Sequence, residues 1–575
     1  MDKRMIITIF TEMATYLELK GENQFKVRAY QNGARIIDNL EKDLRKLVES
    51  GEITKIPGIG KTLTGNIIEL ITTGDLAEYH EIKKDIPSGL LEIIKIPGLG
   101  PKKAYRLHQS LGIENLAELE YACLENRLTV VKGFGEKSQK NILQGIEQLK
   151  KHRGKFHYIE AIVEAQKIVD ELKIAPDIKQ ISIAGSLRRG KEIIKDIDIV
   201  ASSDNPTSVM DYFTSLPQVD NIIAKGVTKT SITLKSGINV DLRVVKDEEY
   251  IFALHHFTGS KEHNTALRHL AKKSDIKINE YGFFTAETKV EIKTEEEFFS
   301  YLGLEYIPPE LRENTGEIEK AREDNLPKLV TNTDIQGIFH VHSKYSDGND
   351  SLYDLAEAAK NSGYKYLGIS DHSQTAVYAN GLKVDEIYKQ HEEIQKLNEK
   401  FTDFFIFHGI ESDILPDGSL DYPDEILRIF DFVIGSIHSG LNMTQEKATE
   451  RILKAMDNPY FTMLGHPTGR ILLGRPGYEL DLEKIFQKAK EKKIIIELNA
   501  NPHRLDLDWR HLKNAKSKNV LISINPDAHR KEDLDQTYLG VKVARKGWLE
   551  KKDVFNSWSL DEIKKYFASK KINGH

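Results

Sequence analysis

Gly185-Ser186-Leu187-Arg188-Arg189-Gly190 follows a β-branched run, Ile181-Ser182-Ile183-Ala184, and leads shortly into Asp196-Ile197-Asp198. Side chains alternate across a strand, so Asp196 and Asp198 share one face. A third carboxylate, Asp241, sits in another apolar strand, Asn239-Val240-Asp241-Leu242. Three converging carboxylates repel one another unless cations neutralise them. Two Mg²⁺ ions, oxygen-seeking and normally bound with substrate phosphates, are the expected pair. Gly185 and Ser186 offer backbone and hydroxyl donors to a triphosphate, and Arg189 offers charge to the same group. An Asp-x-Asp at a strand edge is commonly no more than a polar turn. Gly-Ser upstream and a strand-borne Asp downstream shift the reading to nucleotidyl transfer, with Asp196, Asp198 and Asp241 as the catalytic carboxylates.

Toward the N-terminus, residues 1–152 read as helical, cut by three related turns. These are Ile56-Pro57-Gly58-Ile59-Gly60, Ile96-Pro97-Gly98-Leu99-Gly100 and Val131-Lys132-Gly133-Phe134-Gly135. Glycine permits a tight turn and close backbone approach. The helix that follows aims free N–H groups at the turn, a site suited to a DNA phosphate. One Gly-x-Gly is more often a plain helical corner; three with matching flanks point to helix-hairpin-helix DNA binding through Gly58, Gly60, Gly98, Gly100, Gly133 and Gly135. Such contacts position DNA without reading its bases. The same region carries a basic and aromatic cluster, Phe25-Lys26-Val27-Arg28-Ala29-Tyr30, which alone could be a solvated face.

Toward the C-terminus, residues 153–312 alternate strands and helices as an α+β domain, and residues 313–334 are polar and charged, the composition of a linker. From 335 to 575 seven short apolar strands alternate with helical segments, which predicts a barrel of the (β/α)₈ kind with fewer strands. Histidines and carboxylates recur near the strand ends: His340-Val341-His342, Asp347, Asp371-His372, His408-Gly409-Ile410-Glu411, Ile437-His438, Gly465-His466 and Asp527-Ala528-His529. Parallel barrels place active sites on that face. A lone histidine there is usually structural; so many at successive strand ends predict a metal centre for Zn²⁺, Mn²⁺ or Fe²⁺.

The bulk composition excludes other classes. The chain has 575 residues, a net charge of -6 and 39% hydrophobic residues. DNA contact must therefore come from local patches rather than overall charge. The single cysteine, Cys123, rules out a disulfide framework and cysteine-based zinc, and fits a cytoplasmic protein. The N-terminal residues lack a signal-peptide pattern, and no stretch of about 18 apolar residues predicts a membrane span.

Residues 1–312 resemble the family X DNA polymerases. Gly185 to Asp198 is similar to their active-site motif in residues and spacing. His256-Phe257-Thr258-Gly259-Ser260 resembles their sugar-binding segment, and Ile278-Asn279-Glu280-Tyr281 their thumb motif. The resemblance implies that Phe257, Gly259 and Asn264 contact the incoming nucleotide and that Arg268 contacts DNA on the template side. His256 replaces the tyrosine of the eukaryotic members, a departure at the position that discriminates against ribose. Those members also carry a lysine, in the helix after the first hairpin, that forms a Schiff base with abasic sugar. Asn66 stands there in this sequence, with Lys61 one turn earlier, so weak or absent lyase chemistry is expected. Residues 335 to about 550 resemble the PHP (polymerase and histidinol phosphatase) family. Matched motif by motif, this implies a nine-ligand set, His340, His342, Asp347, His372, Glu411, His438, His466, Asp527 and His529, around up to three Zn²⁺ or Mn²⁺ ions. The implied whole is a multidomain protein: a helix-hairpin-helix region, an α+β nucleotidyltransferase palm and thumb, and a distorted (β/α)₇ PHP barrel. Its expected role is filling short gaps in base excision repair, with 3′-5′ exonuclease and further AP endonuclease or 3′-phosphatase activity. The expected partners are gapped or nicked DNA and dNTPs, with no membrane, and the expected form is a nucleoid-associated bacterial monomer. The alternatives are a small-molecule PHP phosphatase with a non-catalytic DNA-binding N-terminal half, and a DNA-end binding module without catalysis.

Overall fold

The computed structural model describes residues 3–572 apart from 39, 41–43, 85, 151–153, 176 and 286–287. The chain forms two compact units, Met1–Leu149 and Lys150–His575. The boundary expected at 152/153 lies outside the described residues.

In the N-terminal unit each glycine motif closes the same turn. The N–H groups of Ile59, Leu99 and Phe134 donate to the carbonyls of Ile56, Ile96 and Val131 at 3.2, 3.0 and 2.9 Å. Between them Gly58, Gly98 and Gly133 take φ of +88°, +85° and +94°. That is a type II turn, which needs glycine at its third position. Ile59, Leu99 and Phe134 are buried, while the glycines beside them are exposed. The turns run into α1 (Lys61–Thr73), α2 (Pro101–Leu111) and α3 (Glu136–Lys150). Gly60 and Gly100 cap α1 and α2 with no side chain over the helix end.

The second unit contains a five-stranded sheet. Its strands are β1 (Ile178–Ile183), β2 (Asp196–Ser203), β3 (Val219–Lys225), β4 (Lys229–Leu234) and β5 (Asn239–Val245), in the order β1-β2-β5-β4-β3. Only the central pair β2·β5 is parallel, and it sets Asp198 directly opposite Asp241. Next come α4 (Tyr250–Thr258), α5 (Lys261–Lys272) and an antiparallel sheet of β6 (Ile276–Asn279), β7 (Gly282–Thr285) and β8 (Thr288–Val290). Phe252, Phe283, Phe298 and Phe299 fill the core beneath them.

The 313–334 stretch, expected as a linker with at most a short helix, carries that helix packed into a core. In α6 (Glu317–Arg322), Ile318 and Ala321 join the core containing Phe298. Glu317 is fully buried and lies 2.6 Å from His263 Nδ1. Just before it, Arg312 is also fully buried, donating to Glu295 Oε1 at 2.5 Å and to the carbonyl of Ile307 at 2.9 Å. A charged composition reads as solvated, but here the charges are interred in pairs, which a one-dimensional pattern does not reveal.

Seven parallel strands follow in sequential order: β9 (Gly337–Val341), β10 (Tyr366–His372), β11 (Phe405–Asp413), β12 (Phe432–Ser436), β13 (Met463–Leu464), β14 (Ile495–Asn499) and β15 (Ile522–Asn525). A parallel bridge between Val341 and Ala528 draws the first and last strands together, making a nearly closed barrel. Its floor is aromatic. Phe339 lies 5.6, 5.2 and 5.7 Å from the rings of Tyr366, Phe432 and Phe567. Phe567 comes from α8 (Leu560–Ile572), the last described helix. On the flank, α7 (Thr537–Lys546) buries Leu539, Val543 and Ala544 in the core shared with Ile522 and Ile524 of β15.

Candidate active sites

The turn after β1 lies against β2, its Ala184 N–H donating to the carbonyl of Asp198 at 2.8 Å. Gly185 has φ +63°, and a Cβ there would come within 2.1 Å of Asp198 Oδ2, so this turn admits only glycine. Asp196 is exposed, whereas Asp198, Asp241 and Ser186 are half-buried. Burial first, then the charges of Asp196 and Asp241, push the Asp198 carboxyl up to about 7. Asp241 is held by Lys229 Nζ at 2.7 Å and by the Ser231 hydroxyl at 2.5 Å. Neither was singled out in the sequence, although Ser231 is paired with Asp241 in the strand register. A clustered set of acids with a raised carboxyl is the donor chemistry that hard divalent cations neutralise.

Phe257 sits under the guanidinium of Arg243, 4.2 Å from its ring centre, which ties the sugar segment to β5. Asn264 is buried and donates to the carbonyl of His256 at 2.7 Å, closing that segment. A Cβ on Gly259 would lie 2.4 Å from Asn264 Oδ1. Arg268 is exposed one turn farther along α5, on the same side as Asn264. Arg189, expected to bring charge to the triphosphate, is itself held by other side chains. It is buried, with Nε donating to Glu313 at 2.9 Å and a terminal nitrogen donating to the Thr258 carbonyl at 2.7 Å. Arg188 donates to Thr258 Oγ1 at 2.9 Å and to both oxygens of Glu295. The two arginines therefore clasp the glycine loop to the sugar segment.

At the barrel mouth the structure brings all nine resemblance-implied residues together. Their ligand atoms form overlapping groups: His342, Asp347, His372 and His529; His340, His466 and Asp527; His340, His342 and Glu411; and His372, Glu411 and His438. His340 and His342 do not face inward by simple alternation. The register of β9 slips between Ile338 and Val341, and His340 takes φ +59°. That bulge lets Phe339 pack into the floor while the adjacent His340 joins the cluster. Buried atoms with no hydrogen-bond partner among the described residues concentrate here: His340 Nε2, both ring nitrogens of His342 and His372, Asp347 Oδ2, Glu411 Oε2 and His466 Nδ1. Buried polar atoms are normally satisfied. So many orphans facing one another fit a group of metal ions. Burial pulls the His438 imidazole down, but Glu411 and Asp413 outweigh it and push it up to about 9. Glu411 is held well below the usual carboxylate range, because His438 and His340 outweigh its burial.

A second layer, missed in the sequence, orients these side chains. Glu497, fully buried on β14, lies 2.6 Å from His340 Nδ1 and accepts the His466 N–H at 2.6 Å. Asp413 lies 2.5 Å from His438 Nδ1. The signals were available: a glutamate inside the apolar run Ile495 to Leu498, and an aspartate two residues beyond Glu411 on one strand. Such carboxylate–histidine pairs fix the tautomer of a metal ligand.

In the N-terminal unit Asn66 is buried in a polar trio. Its Nδ2 donates to the Tyr30 hydroxyl and to Glu78 Oε2, both at 2.9 Å. Lys61 is exposed beside the first turn. No helix of the described residues is long and apolar enough to cross a membrane.

Comparison with known proteins agrees with this layout. Residues 1–76 match the helix-hairpin-helix domain, 90–148 a SAM-like helix-hairpin-helix tandem, 253–313 the DNA polymerase beta thumb and 339–501 the PHP domain. The DNA polymerase/3′-5′ exonuclease PolX of Bacillus subtilis is 40% identical over 571 residues, covering 98% of this chain and 99% of its own length. A probable phosphatase of Clostridium novyi is 34% identical over 164 residues, 28% of this chain and 62% of its own length.

Proposed function

The chain belongs to the PolX family of DNA polymerase/3′-5′ exonucleases, and from that we propose how its residues divide the two activities. It is a DNA-directed DNA polymerase and a 3′-5′ exonuclease, dependent on divalent metal, with DNA and dNTPs as substrates. Asp196, Asp198 and Asp241 hold the polymerase ions, two Mg²⁺, beside the Gly185–Gly190 loop. The observation that carries this is the facing of Asp198 and Asp241 across the parallel pair, with Gly185 against them. Bound ions there supply charge neutralisation for phosphoryl transfer. The chain's own residues supply the rest. The loop N–H groups and Ser186 receive the triphosphate, the Phe257–Gly259 turn receives the sugar, and Arg188 and Arg189 keep loop and turn in register.

The nine barrel residues hold up to three Zn²⁺ or Mn²⁺ ions, which supply hydrolytic chemistry when bound. Glu497 and Asp413 orient His340 and His438. The three glycine turns grip DNA phosphates irrespective of sequence. A cytoplasmic monomer filling short gaps in base excision repair fits these parts. The likeness to a probable phosphatase favours removal of 3′-phosphates by the same centre. AP-site cleavage there is proposed on the same chemistry. Primer extension across a one-nucleotide gap, beside trimming of free and 3′-phosphorylated ends with Mn²⁺ or a chelator, tests the set. Extension and trimming that both stop with the chelator are expected. Extension without any metal-dependent trimming would remove the barrel from the reading.

A further inference from the structure

The side chains that hold Arg189 come partly from outside the polymerase half. Lys546, at the end of α7 on the flank of the barrel, is 1% exposed. Its Nζ donates to Glu313 Oε1 at 2.7 Å and to the backbone carbonyl of Arg189 at 3.1 Å, and it lies 4.7 Å from the centre of the Trp509 ring. The same Glu313 oxygen accepts Arg189 Nε at 2.9 Å, and Arg189 reaches the Thr258 carbonyl. One path thus runs from a barrel helix to both walls of the nucleotide site: Lys546, Glu313, Arg189, Thr258. Arg545, adjacent on α7, adds a bond to Glu310 Oε1 at 2.8 Å. Two cations share the Glu313 carboxylate, and Lys191 stands 3.8 Å from its other oxygen. The cluster therefore stays net positive beside the loop expected to receive a triphosphate. Removing one partner from a buried ionic group leaves the others uncompensated.

We propose that Lys546, a residue of the histidine-rich barrel, is a positioning residue of the polymerase site. Acting through Glu313, it fixes Arg189 and Thr258, and with them the loop and turn that receive the incoming nucleotide. Without it, Glu313 is left to Arg189 and Lys191 alone and the Arg189 carbonyl loses its lysine donor, so the arginine and the loop it anchors are free to shift. The inference rests on the polymerase reading above.

The test uses full-length Lys546→Met, Glu313→Gln, the double variant and the conservative Lys546→Arg. Single-nucleotide incorporation and 3′ trimming are measured on the same preparations. In Lys546→Met, KM for dNTP should rise about tenfold, the scale of one hydrogen bond to a charged group, with a smaller change in kcat. Trimming should stay at the wild-type rate. Glu313→Gln alone should raise KM less, the double variant should recover most of the Lys546→Met loss, and Lys546→Arg should retain wild-type KM. An unchanged KM in Lys546→Met overturns the proposal, as does a double variant worse than either parent. Equal loss of both activities in Lys546→Met and Lys546→Arg would reduce the residue to a structural prop and also overturn it. If Lys546→Met does not fold, Glu313→Gln decides: KM must rise with trimming intact, and an unmoved KM overturns the idea. A wild-type chain that incorporates no nucleotide would instead strike the polymerase reading itself.

Discussion

Asp198 carries two burdens, burial and two acidic neighbours, and both favour its protonated form. Below about pH 7 an incoming cation must displace that proton. Apparent Mg²⁺ affinity should therefore weaken as pH falls through that value, and more protons should be released per ion bound. Calorimetry in buffers of different ionisation enthalpy counts them; a count that did not grow with acidity would contradict the placement of an ion at Asp198. At the other centre, Glu497 holds His340 and the His466 backbone together. Glu497→Gln should lower metal affinity for trimming by about 10–100-fold, the cost typical of a lost orienting carboxylate. A metal titration that overlays the wild type would mean Glu497 does not orient the ligands. Asn66 has an amide in place of the amine that a Schiff base needs, and its nitrogen is already bonded to Tyr30 and Glu78. Borohydride treatment of the chelated full-length protein on incised abasic DNA should trap little adduct. A strong adduct lost with Lys61→Ala would show that another amine has taken the role.

At the scale of elements, the three hairpins are one device repeated. The turn geometry is legible from sequence, because the Gly-x-Gly spacing and buried middle residue satisfy a local rule that needs no tertiary context. Gly98→Val and Gly58→Val separate two effects. At Gly98 a side chain meets empty space, so only the strained φ of +85° opposes it; at Gly58 it also meets Ile36 at 2.5 Å. Both should weaken DNA binding without changing sequence preference, with Gly58→Val the less stable of the two. Fluorescence anisotropy on unrelated duplexes measures this, and a shift in preference would contradict phosphate contact. The seven barrel strands were legible for the same local reason, as short apolar runs with a polar residue at the end. The bulge in β9 was not, because a slipped register looks like ordinary alternation in one dimension. Nor was the packing of the 313–334 stretch, whose Glu317 is buried against His263, 54 residues earlier. The partner of Arg189 was not legible for a related reason: Glu313 lies 124 residues away.

Across the whole molecule, palm and barrel occupy one compact unit, and the ligand sets proposed for them share no residue. Asp241→Asn should abolish incorporation and leave Mn²⁺-dependent trimming, since small misplacements of reacting groups cost about 100-fold or more. Loss of both activities in a folded variant would contradict two independent centres. The aromatic floor of the barrel bears on how the molecule is made. Phe567 closes that floor, packing near Phe339 and, with a spacing of 5.6 Å, against Phe432. Chains emerge from the ribosome N-terminus first and fold domain by domain. The palm strands are therefore available long before α8 appears, and the barrel stays unsealed until it does. A nascent chain has all nine histidine-site residues, the last of them His529, before the aromatic base beneath them arrives. Both centres therefore wait on the chain's last helices, the proposed nucleotide site on Lys546 of α7 and the metal group on Phe567 of α8.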